Sequence, residues 1–199
     1  MVSLELENSF RKDGFNIICG VDEAGRGPLA GPVFAAAVIL PADCPDIGVD
    51  DSKKLTEKKR ELLFNKITEL AVDFSIAYVS EAEIDEINIL NAAMLAMRKA
   101  VAGLKITPDI VLVDGNRCPE TGLEEKYIIK GDSISMSIAA ASILAKVSRD
   151  RYMRVLDEAY PEYCFLKHKG YGTALHYQMI EKYGISPVHR KTFLKKLVK

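Results

Sequence analysis

The sequence has no apolar run that approaches the ~20 residues of a membrane-spanning helix. Residues 1–14 are polar and lack the apolar stretch of a secretory signal. Basic and acidic residues nearly cancel, with 27 Lys and Arg against 28 Asp and Glu. Bulk charge therefore gives no support to a nucleic-acid partner and no argument against an acidic metal site. These absences predict a cytoplasmic protein without a membrane partner.

Clustered cysteines are absent as well. The four cysteines form no CxxC pair and are scattered along the chain. Because zinc sites and disulfide frameworks cluster their cysteines, we expect four reduced thiols. The chain has 199 residues, of which 48% are hydrophobic and 28% charged, as in an ordinary globular protein. We expect one domain that spans 1–199.

Apolar runs and capping residues predict alternating strands and helices. Strands are expected at 15–21, 33–40, 72–79, 109–113 and 127–130. Helices are expected at 56–70 after a Thr56 cap, from a Ser80–Glu83 capping box onward, from 133 to about 152, and at 174–183. The pattern predicts an α/β fold, with helices on both sides of a sheet and a helical C-terminal region from about 155 to 199.

An apolar stripe at three- and four-residue spacing follows Ser80. We expect it to face the core of one helix. Its members are Ile84, Ile87, Leu90, Met94 and Met97.

Four acids follow predicted strands directly or one residue later: Asp22, Glu23, Asp114 and Asp132. Side chains at neighbouring strand ends converge, and converging carboxylates repel each other unless a cation neutralises them. Their oxygens suit Mg²⁺ or Mn²⁺. The alternative is that they are ordinary turn acids and helix caps, with Asp132 capping the helix that follows it. From spacing alone, both interpretations stay open.

A glycine-rich loop, Gly25-Arg26-Gly27 with Gly31-Pro32 beyond, lies between the first two predicted strands. Its backbone N–H groups could bind phosphate or hydroxyl oxygens, and Arg26 could pair with a phosphate. The loop is neither a Walker A motif nor a dinucleotide fingerprint. A plain tight turn explains it equally well.

Two basic clusters are typical either of solvated faces or of phosphate contacts. The first comprises Lys53, Lys54, Lys58, Lys59 and Arg60, and the second Arg190, Lys191, Lys195, Lys196 and Lys199.

Taken together, these segments resemble the ribonuclease HII family, the type 2 ribonucleases H. The matching stretches keep the family's order along nearly the whole chain. They are GVDEAGRGPLAGPV (20–33), DSKKL (51–55), INILNAAMLAM (87–97), VLVDGNRCP (111–119), KGDS (130–133), AAASILAKVSRD (139–150) and HKGYGT (168–173). The ISMSI segment after Asp132 matches nothing diagnostic. The sister family, ribonuclease HIII, usually lacks the Gly-Arg-Gly form of the loop.

The resemblance implies a ribonuclease H-like fold, a five-stranded mixed sheet flanked by helices. It implies that Asp22, Glu23, Asp114 and Asp132 are catalytic and bind two divalent ions, Mg²⁺ or Mn²⁺. The implied substrates are RNA–DNA hybrids and DNA duplexes with embedded ribonucleotides, cut 5′ to the ribonucleotide to leave 3′-hydroxyl and 5′-phosphate ends.

The resemblance also implies substrate-binding residues. Gly25, Arg26 and Gly27 would read the 2′-hydroxyl, and Tyr171 would pack on the sugar after the junction, unless it is a half-buried core tyrosine. Phosphate contacts are expected from Lys53, Lys54 and Lys146. His168 either touches substrate or is a turn histidine, and His176 and His189 have no assigned role. We expect a monomer, and the basic tail shows no recognisable sliding-clamp peptide, although a clamp partner is not excluded.

Three other functions fit parts of the pattern. A noncatalytic duplex-binding protein would have lost at least one of the four acids. A transposase or junction resolvase would cut DNA without needing a 2′-hydroxyl. A small-molecule phosphohydrolase would need a nucleotide-base pocket, and no segment indicates one.

Overall fold

The computed structural model describes residues 2–49, 52 and 55–195, and these contain a five-stranded mixed sheet. The strands are Ile18–Ala24 (β1), Val33–Ile39 (β2), Asp73–Val79 (β3), Ile110–Asp114 (β4) and Glu125–Ile128 (β5). Their order in the sheet is β3-β2-β1-β4-β5. Strand β1 is antiparallel to β2 and parallel to β4; β2 is antiparallel to β3, and β4 is parallel to β5. The predicted mixed sheet is confirmed.

Helices cover both faces of the sheet, as predicted. The helices are Glu5–Lys12 (α1), Glu57–Leu70 (α2), Glu81–Ala102 (α3), Met136–Ala159 (α4), Phe165–His168 (α5) and Ala174–Tyr183 (α6). Alternate residues of β2 point to opposite sides, so Ala36 and Val38 pack in the core beneath α2 and α4, while Ala35 and Ala37 pack beneath α3. No helix within the described residues is long and apolar enough to cross a bilayer.

The capping residues act as the sequence predicts. The Thr56 hydroxyl accepts a hydrogen bond from the Lys59 amide at the start of α2. At the start of α3, Ser80 and Glu83 form the full capping box. The helical C-terminal region is also present, formed by the end of α4, by α5 and α6, and by short 3₁₀ turns.

Several element boundaries differ from the prediction. Strand β1 continues to Ala24 because Asp22 and Glu23 pair with Ala36 and Ala35 of β2. Strand β5 lies earlier than predicted, at Glu125–Ile128. Polar residues at the end of β1 broke the apolar pattern, although backbone pairing there is complete.

Helix α4 begins at Met136, and Ser135 is its cap, so the prediction that Asp132 could cap it is wrong. The helix α1 was not predicted. It is anchored by the buried Glu7, whose carboxylate accepts hydrogen bonds from the Ser135 hydroxyl and the Ser137 amide. This contact spans about two thirds of the chain, so no local pattern indicates it.

The predicted apolar stripe in α3 is interrupted by a kink at Asn88. Its φ of +65° and ψ of 163° are not helical, and its side chain re-caps the helix by accepting from the Leu90 and Asn91 amides. Met94 and Met97 beyond the kink are buried, whereas Leu90 is exposed. The kink changes the phase of the stripe, so the assignment of Leu90 to the core is wrong.

A close approach between β1 and α4 depends on Gly20. A Cβ atom at this position would lie 2.2 Å from the backbone carbonyl carbon of Ser137. Because no side chain intervenes, α4 crosses directly over β1, and Ser142 of α4 reaches the end of that strand.

Candidate active site

The parallel pairing of β1 and β4 brings three of the predicted acids to one edge of the sheet. Val21 pairs with Val113, so Asp22 and Asp114 follow the last paired residues on adjacent strands. Glu23 comes next on β1. All three line a cleft of about 260 Å³, together with Ala24, Gly25, Arg26, Gly27, Ser52, Ser142, Lys146 and Tyr171.

Asp22 is the most deeply placed acid of this cleft, with 5% of its surface exposed. Burial raises the pKa of Asp22 well above its ordinary value, and the charges of Glu23 and Asp114 raise it further. A hydrogen bond from the Ser142 hydroxyl and another from the Glu23 amide, at 2.7 Å, act in the opposite direction. The carboxylate is therefore held in place but poorly stabilised in its charged form.

Opposing effects also act on the pKa of Glu23, which is raised less than that of Asp22. Burial raises its pKa, while the Arg26 guanidinium, 3.3 Å from Oε1, lowers it. Arg26 is half exposed, with 51% of its side chain accessible. Its guanidinium is thus available at the mouth of the cleft.

Asp132 lies beside this group in a 3₁₀ turn, Gly131–Ser133, that follows β5. Its amide donates a long hydrogen bond of 3.4 Å to Asp114 Oδ1, and 8% of its surface is exposed. The turn therefore brings the Asp132 amide next to the Asp114 carboxylate, although Asp132 is not among the residues that line the cleft.

The donor set fits a hard divalent cation. Within 2–49, 52 and 55–195, no three acids, histidines or cysteines form a ready-made metal cage. Mg²⁺ seldom needs one, since it takes one or two carboxylates and completes its shell with water and substrate phosphates. Burial is the main cause that raises the pKa of Asp22 and of Glu23; the charge of Asp114 raises both further, and that of Glu23 raises the pKa of Asp22. A bound cation would relieve this arrangement.

The glycine loop has the close backbone approaches that its sequence suggests. Gly25 has a φ of +104°, and a Cβ there would lie 2.3 Å from Arg149 Nε. At Gly27 a Cβ would be 3.6 Å from Tyr171 Cε1, an ordinary contact distance. The loop lines the same cleft as the three acids and Tyr171.

Arg190 stabilises the backbone of this loop through hydrogen bonds to its carbonyl oxygens. Its fully buried guanidinium donates to the carbonyl oxygens of Gly25 (2.7 Å), Arg26 (3.1 Å) and Gly31 (2.7 Å). Burial, and then the charge of Arg149, lower its pKa to about 9, so it remains a cation at pH 7. The prediction that Arg190 belongs to a solvated or DNA-gripping basic cluster is wrong.

Arg149, on α4, is a second buried arginine that the sequence analysis did not single out. It donates to the carbonyls of Pro32 (3.3 Å), Ala30 (3.2 Å) and Lys169 (3.0 Å). Its Cζ lies 5.7 Å from the centroid of the Tyr171 ring. Arg149 therefore connects the glycine loop to the segment that carries Tyr171. The next two residues, Asp150 and Arg151, are charged as well, so no pattern in the sequence indicated that Arg149 is buried.

Tyr171 itself is 43% exposed and lines the cleft, so it is not a core residue. Lys146 also lines the cleft, and its ammonium is held by Asp150 at 2.7 Å. Lys53 and Lys54 lie outside the described residues, as do Lys196 and Lys199. Ser52 and Ser142 also line the cleft, with their hydroxyl oxygens 3.0 Å apart.

Comparisons with known proteins match most of the length of this chain. A family model described as Ribonuclease HII matches residues 19–196. A ribonuclease HII of Caldicellulosiruptor saccharolyticus is 56% identical over 195 residues, which cover 98% of this chain and 95% of that one.

Two solved structures agree with the sequence comparison. The crystal structure of ribonuclease H2 from Pyrococcus horikoshii OT3 has a TM-score of 0.75 at 31% identity and covers 88% of this chain and 93% of that one. The ribonuclease HII in a complex with PCNA from Archaeoglobus fulgidus has a TM-score of 0.74 at 28% identity, with coverage of 87% and 93%. The chain therefore belongs to the ribonuclease HII family and is a ribonuclease H, an endonuclease that acts on RNA–DNA substrates.

Proposed function

We propose that this enzyme nicks the ribonucleotide-containing strand of RNA–DNA hybrids and of DNA duplexes that carry single embedded ribonucleotides. The nick falls 5′ to the ribonucleotide and leaves 3′-hydroxyl and 5′-phosphate ends. One observation carries the proposal: three acids, the Gly25–Gly27 loop and Tyr171 line a single cleft. A site of this kind can test for a 2′-hydroxyl beside the bond that it cuts.

Recognition of the ribonucleotide is assigned to the loop and to Tyr171. Backbone groups of Gly25 and Gly27 contact the 2′-hydroxyl, which is the group that distinguishes RNA from DNA. The Arg26 guanidinium, half exposed beside Glu23, is placed to pair with a neighbouring phosphate. The exposed face of Tyr171 packs against the next sugar. A side chain at Gly25 would collide with Arg149, so the loop requires glycine there.

The four acids are assigned to two divalent ions, Mg²⁺ or Mn²⁺. Asp22 and Asp114, on adjacent strands, would hold both ions, and Glu23 and Asp132 would complete the set of ligands. Ions bound there would supply a reactive water at neutral pH and stabilise charge on the departing 3′-oxygen. The chain's own contribution is to hold these carboxylates in place, since Asp22 pairs with Ala36 of β2, Asp114 pairs with Ile128 of β5, and both side chains accept backbone hydrogen bonds.

Cations around the cleft are assigned to phosphates of the duplex. Lys146 is oriented by Asp150, and the adjacent pair Lys53 and Lys54 is assigned the same role on the family resemblance alone. Because such contacts carry no base information, little sequence preference and a steep fall of affinity with salt are expected.

The proposed assembly is a cytoplasmic monomer built as one domain. The ribonuclease HII from Archaeoglobus fulgidus was solved in a complex with PCNA. A sliding clamp is therefore retained as a candidate partner, although the C-terminal segment of this chain shows no recognisable clamp peptide.

The test uses a labelled DNA duplex with one ribonucleotide, beside an all-DNA duplex of the same sequence and an RNA–DNA hybrid. Each is incubated with Mg²⁺, with Mn²⁺ and with a chelator. We expect one nick, 5′ to the ribonucleotide, with either metal and none with the chelator. The all-DNA duplex should remain intact, and end-labelling should identify a 5′-phosphate on the downstream fragment.

The same experiment separates the alternatives. Cutting of the all-DNA duplex would indicate a transposase- or resolvase-like nuclease. Binding without a nick under both metals would indicate a noncatalytic duplex-binding protein.

A further inference from the structure

Three buried histidines lie next to Tyr171 and take no part in the proposed chemistry. His168, His176 and His189 are 6%, 0% and 1% exposed. The rings of His168 and His176 stack with centroids 4.2 Å apart, and His176 Nε2 lies 3.1 Å from His189 Nε2. Phe165 packs against all three rings. Neutral imidazoles in such a place need defined hydrogen-bond partners.

The partners assign the proton on each ring of one pair. His189 Nδ1 accepts from the Ser186 amide at 2.9 Å, so in the neutral ring the proton is on Nε2. That proton is donated to His176 Nε2, which leaves the His176 proton on Nδ1. His176 Nδ1 then donates to the carbonyl oxygen of Tyr171 at 3.0 Å. Each group in this series donates to the next, from the Ser186 amide through His189 and His176 to the Tyr171 carbonyl oxygen.

The third histidine holds the other side of the same turn. The Gly170 amide donates to His168 Nδ1 at 3.2 Å, so His168 Nε2 carries the proton and donates to the Tyr163 carbonyl at 2.8 Å. The Tyr171 amide donates to the His168 carbonyl at 2.9 Å. Both backbone groups of Tyr171 are thus bound to histidines of this cluster.

The turn before Tyr171 needs such support. Lys169 has a φ of +50° and Gly170 a φ of +82°, so two consecutive residues adopt left-handed conformations, which is costly for the non-glycine residue. Burial is the main cause that lowers the pKa of His176 and of His189 to about 4, so both rings are neutral at pH 7 and the hydrogen-bond directions persist.

We propose that His176 and His189 are positioning residues that fix Tyr171 in the cleft through a directed hydrogen-bond relay to its carbonyl oxygen. The proposal deepens the function proposed above and rests on the role of Tyr171 at the sugar beside the junction. The relay acts on the backbone, so it sets the direction of the ring without touching the substrate.

The first test compares two substitutions of His176 on the one-ribonucleotide duplex. His176→Phe keeps an aromatic ring but loses both hydrogen bonds, and His176→Gln can accept from His189 and donate to Tyr171 at once. We expect His176→Phe to lower kcat/KM about ten-fold, and His176→Gln to stay within about two-fold of wild type. Equal losses in both variants would overturn the relay.

A double-mutant cycle then asks whether the effect passes through Tyr171. In a Tyr171→Ala background, His176→Phe should change kcat/KM by less than about two-fold, because the positioned ring is gone. If the full ten-fold loss persisted there, His176 would act on the fold in general, and the proposal would be wrong.

A third measurement does not depend on activity. The ¹⁵N chemical shifts of the imidazole rings in the wild-type protein should show the proton on Nε2 of His189 and on Nδ1 of His176. The opposite tautomers, or a charged ring at pH 7, would overturn the relay even if nicking occurred as proposed. If instead wild type failed to nick any substrate, the proposed function would fall while these shifts still tested the relay.

Discussion

Replacing Asp22 with asparagine is expected to abolish nicking and, at the same time, to raise the unfolding midpoint of the metal-free protein. The activity loss should be about 10³-fold or more, the size seen when a group that stabilises charge at a reaction centre is removed. The gain in stability follows from the raised pKa of Asp22, whose main cause is burial. Asparagine keeps the shape and the acceptor oxygen without the buried charge.

The pH dependence of stability has a definite sign. The folded-state pKa of Asp22 lies above the ordinary value of 3.8, so the folded protein binds the proton more tightly than the unfolded chain. Stability from this group is therefore complete below 3.8 and is lost as pH rises through the folded-state pKa. Thermal unfolding of metal-free protein between pH 4 and pH 8 should show a smaller decline for Asp22→Asn than for wild type.

A matched control lies just before β4, the strand adjacent to the one that carries Asp22. Asp109 precedes β4, at the end opposite to Asp114, and its carboxylate accepts from the amides of Asn16 and Ile17, which lowers its pKa. Asp109→Asn should leave nicking unchanged and slightly lower the unfolding midpoint. Mg²⁺ should raise the midpoint of wild type more than that of Asp22→Asn. Retained nicking, or a lower midpoint, in Asp22→Asn would contradict the assignment of this residue.

Replacing Arg190 with lysine is expected to lower kcat/KM on the one-ribonucleotide duplex by about 10²-fold, the cost of a displacement near 1 Å at a reacting centre. Lysine keeps a positive charge but cannot reproduce the planar fork that binds Gly25, Arg26 and Gly31 together. Carbonyls left without a donor should also reduce the free energy of unfolding by about 1–3 kcal/mol. Steady-state nicking and urea denaturation measure the two effects.

The control for Arg190→Lys is the same exchange at an exposed position. Arg154 is 53% exposed and pairs with Glu57 at 3.4 Å, so Arg154→Lys should change neither activity nor stability appreciably. If the two variants nicked equally well, the hydrogen bonds from Arg190 to the glycine loop would make no contribution to kcat/KM.

The sequence predicted those features that depend on short-range patterns. Asp22, Glu23 and Asp114 were found because each closes an apolar run, and the caps of α2 and α3 were found because capping needs only three or four residues. The mixed sheet was predicted from the family resemblance, because the sequence of a single strand does not determine which strands it pairs with.

The features that sequence reasoning missed all depend on distant contacts. Arg190 and Gly25, whose groups are 2.7 Å apart, are separated by 165 positions in the chain. No composition rule distinguishes a buried arginine in HRKTF from its exposed neighbours. The kink at Asn88 was missed for a different reason, because the apolar spacing from Ile84 to Met97 continues across it and only the backbone angles disclose the break.

The reach of Arg190 across the chain sets an order of events during synthesis. Ribosomes add residues from the N-terminus, and domains acquire their structure as units of the emerging chain. All four acids precede Arg190, so a growing polypeptide carries these carboxylates before it carries the cation that binds the Gly25 carbonyl. Under the proposed function, the loop that distinguishes ribonucleotides therefore gains its support after all four proposed metal ligands have been made.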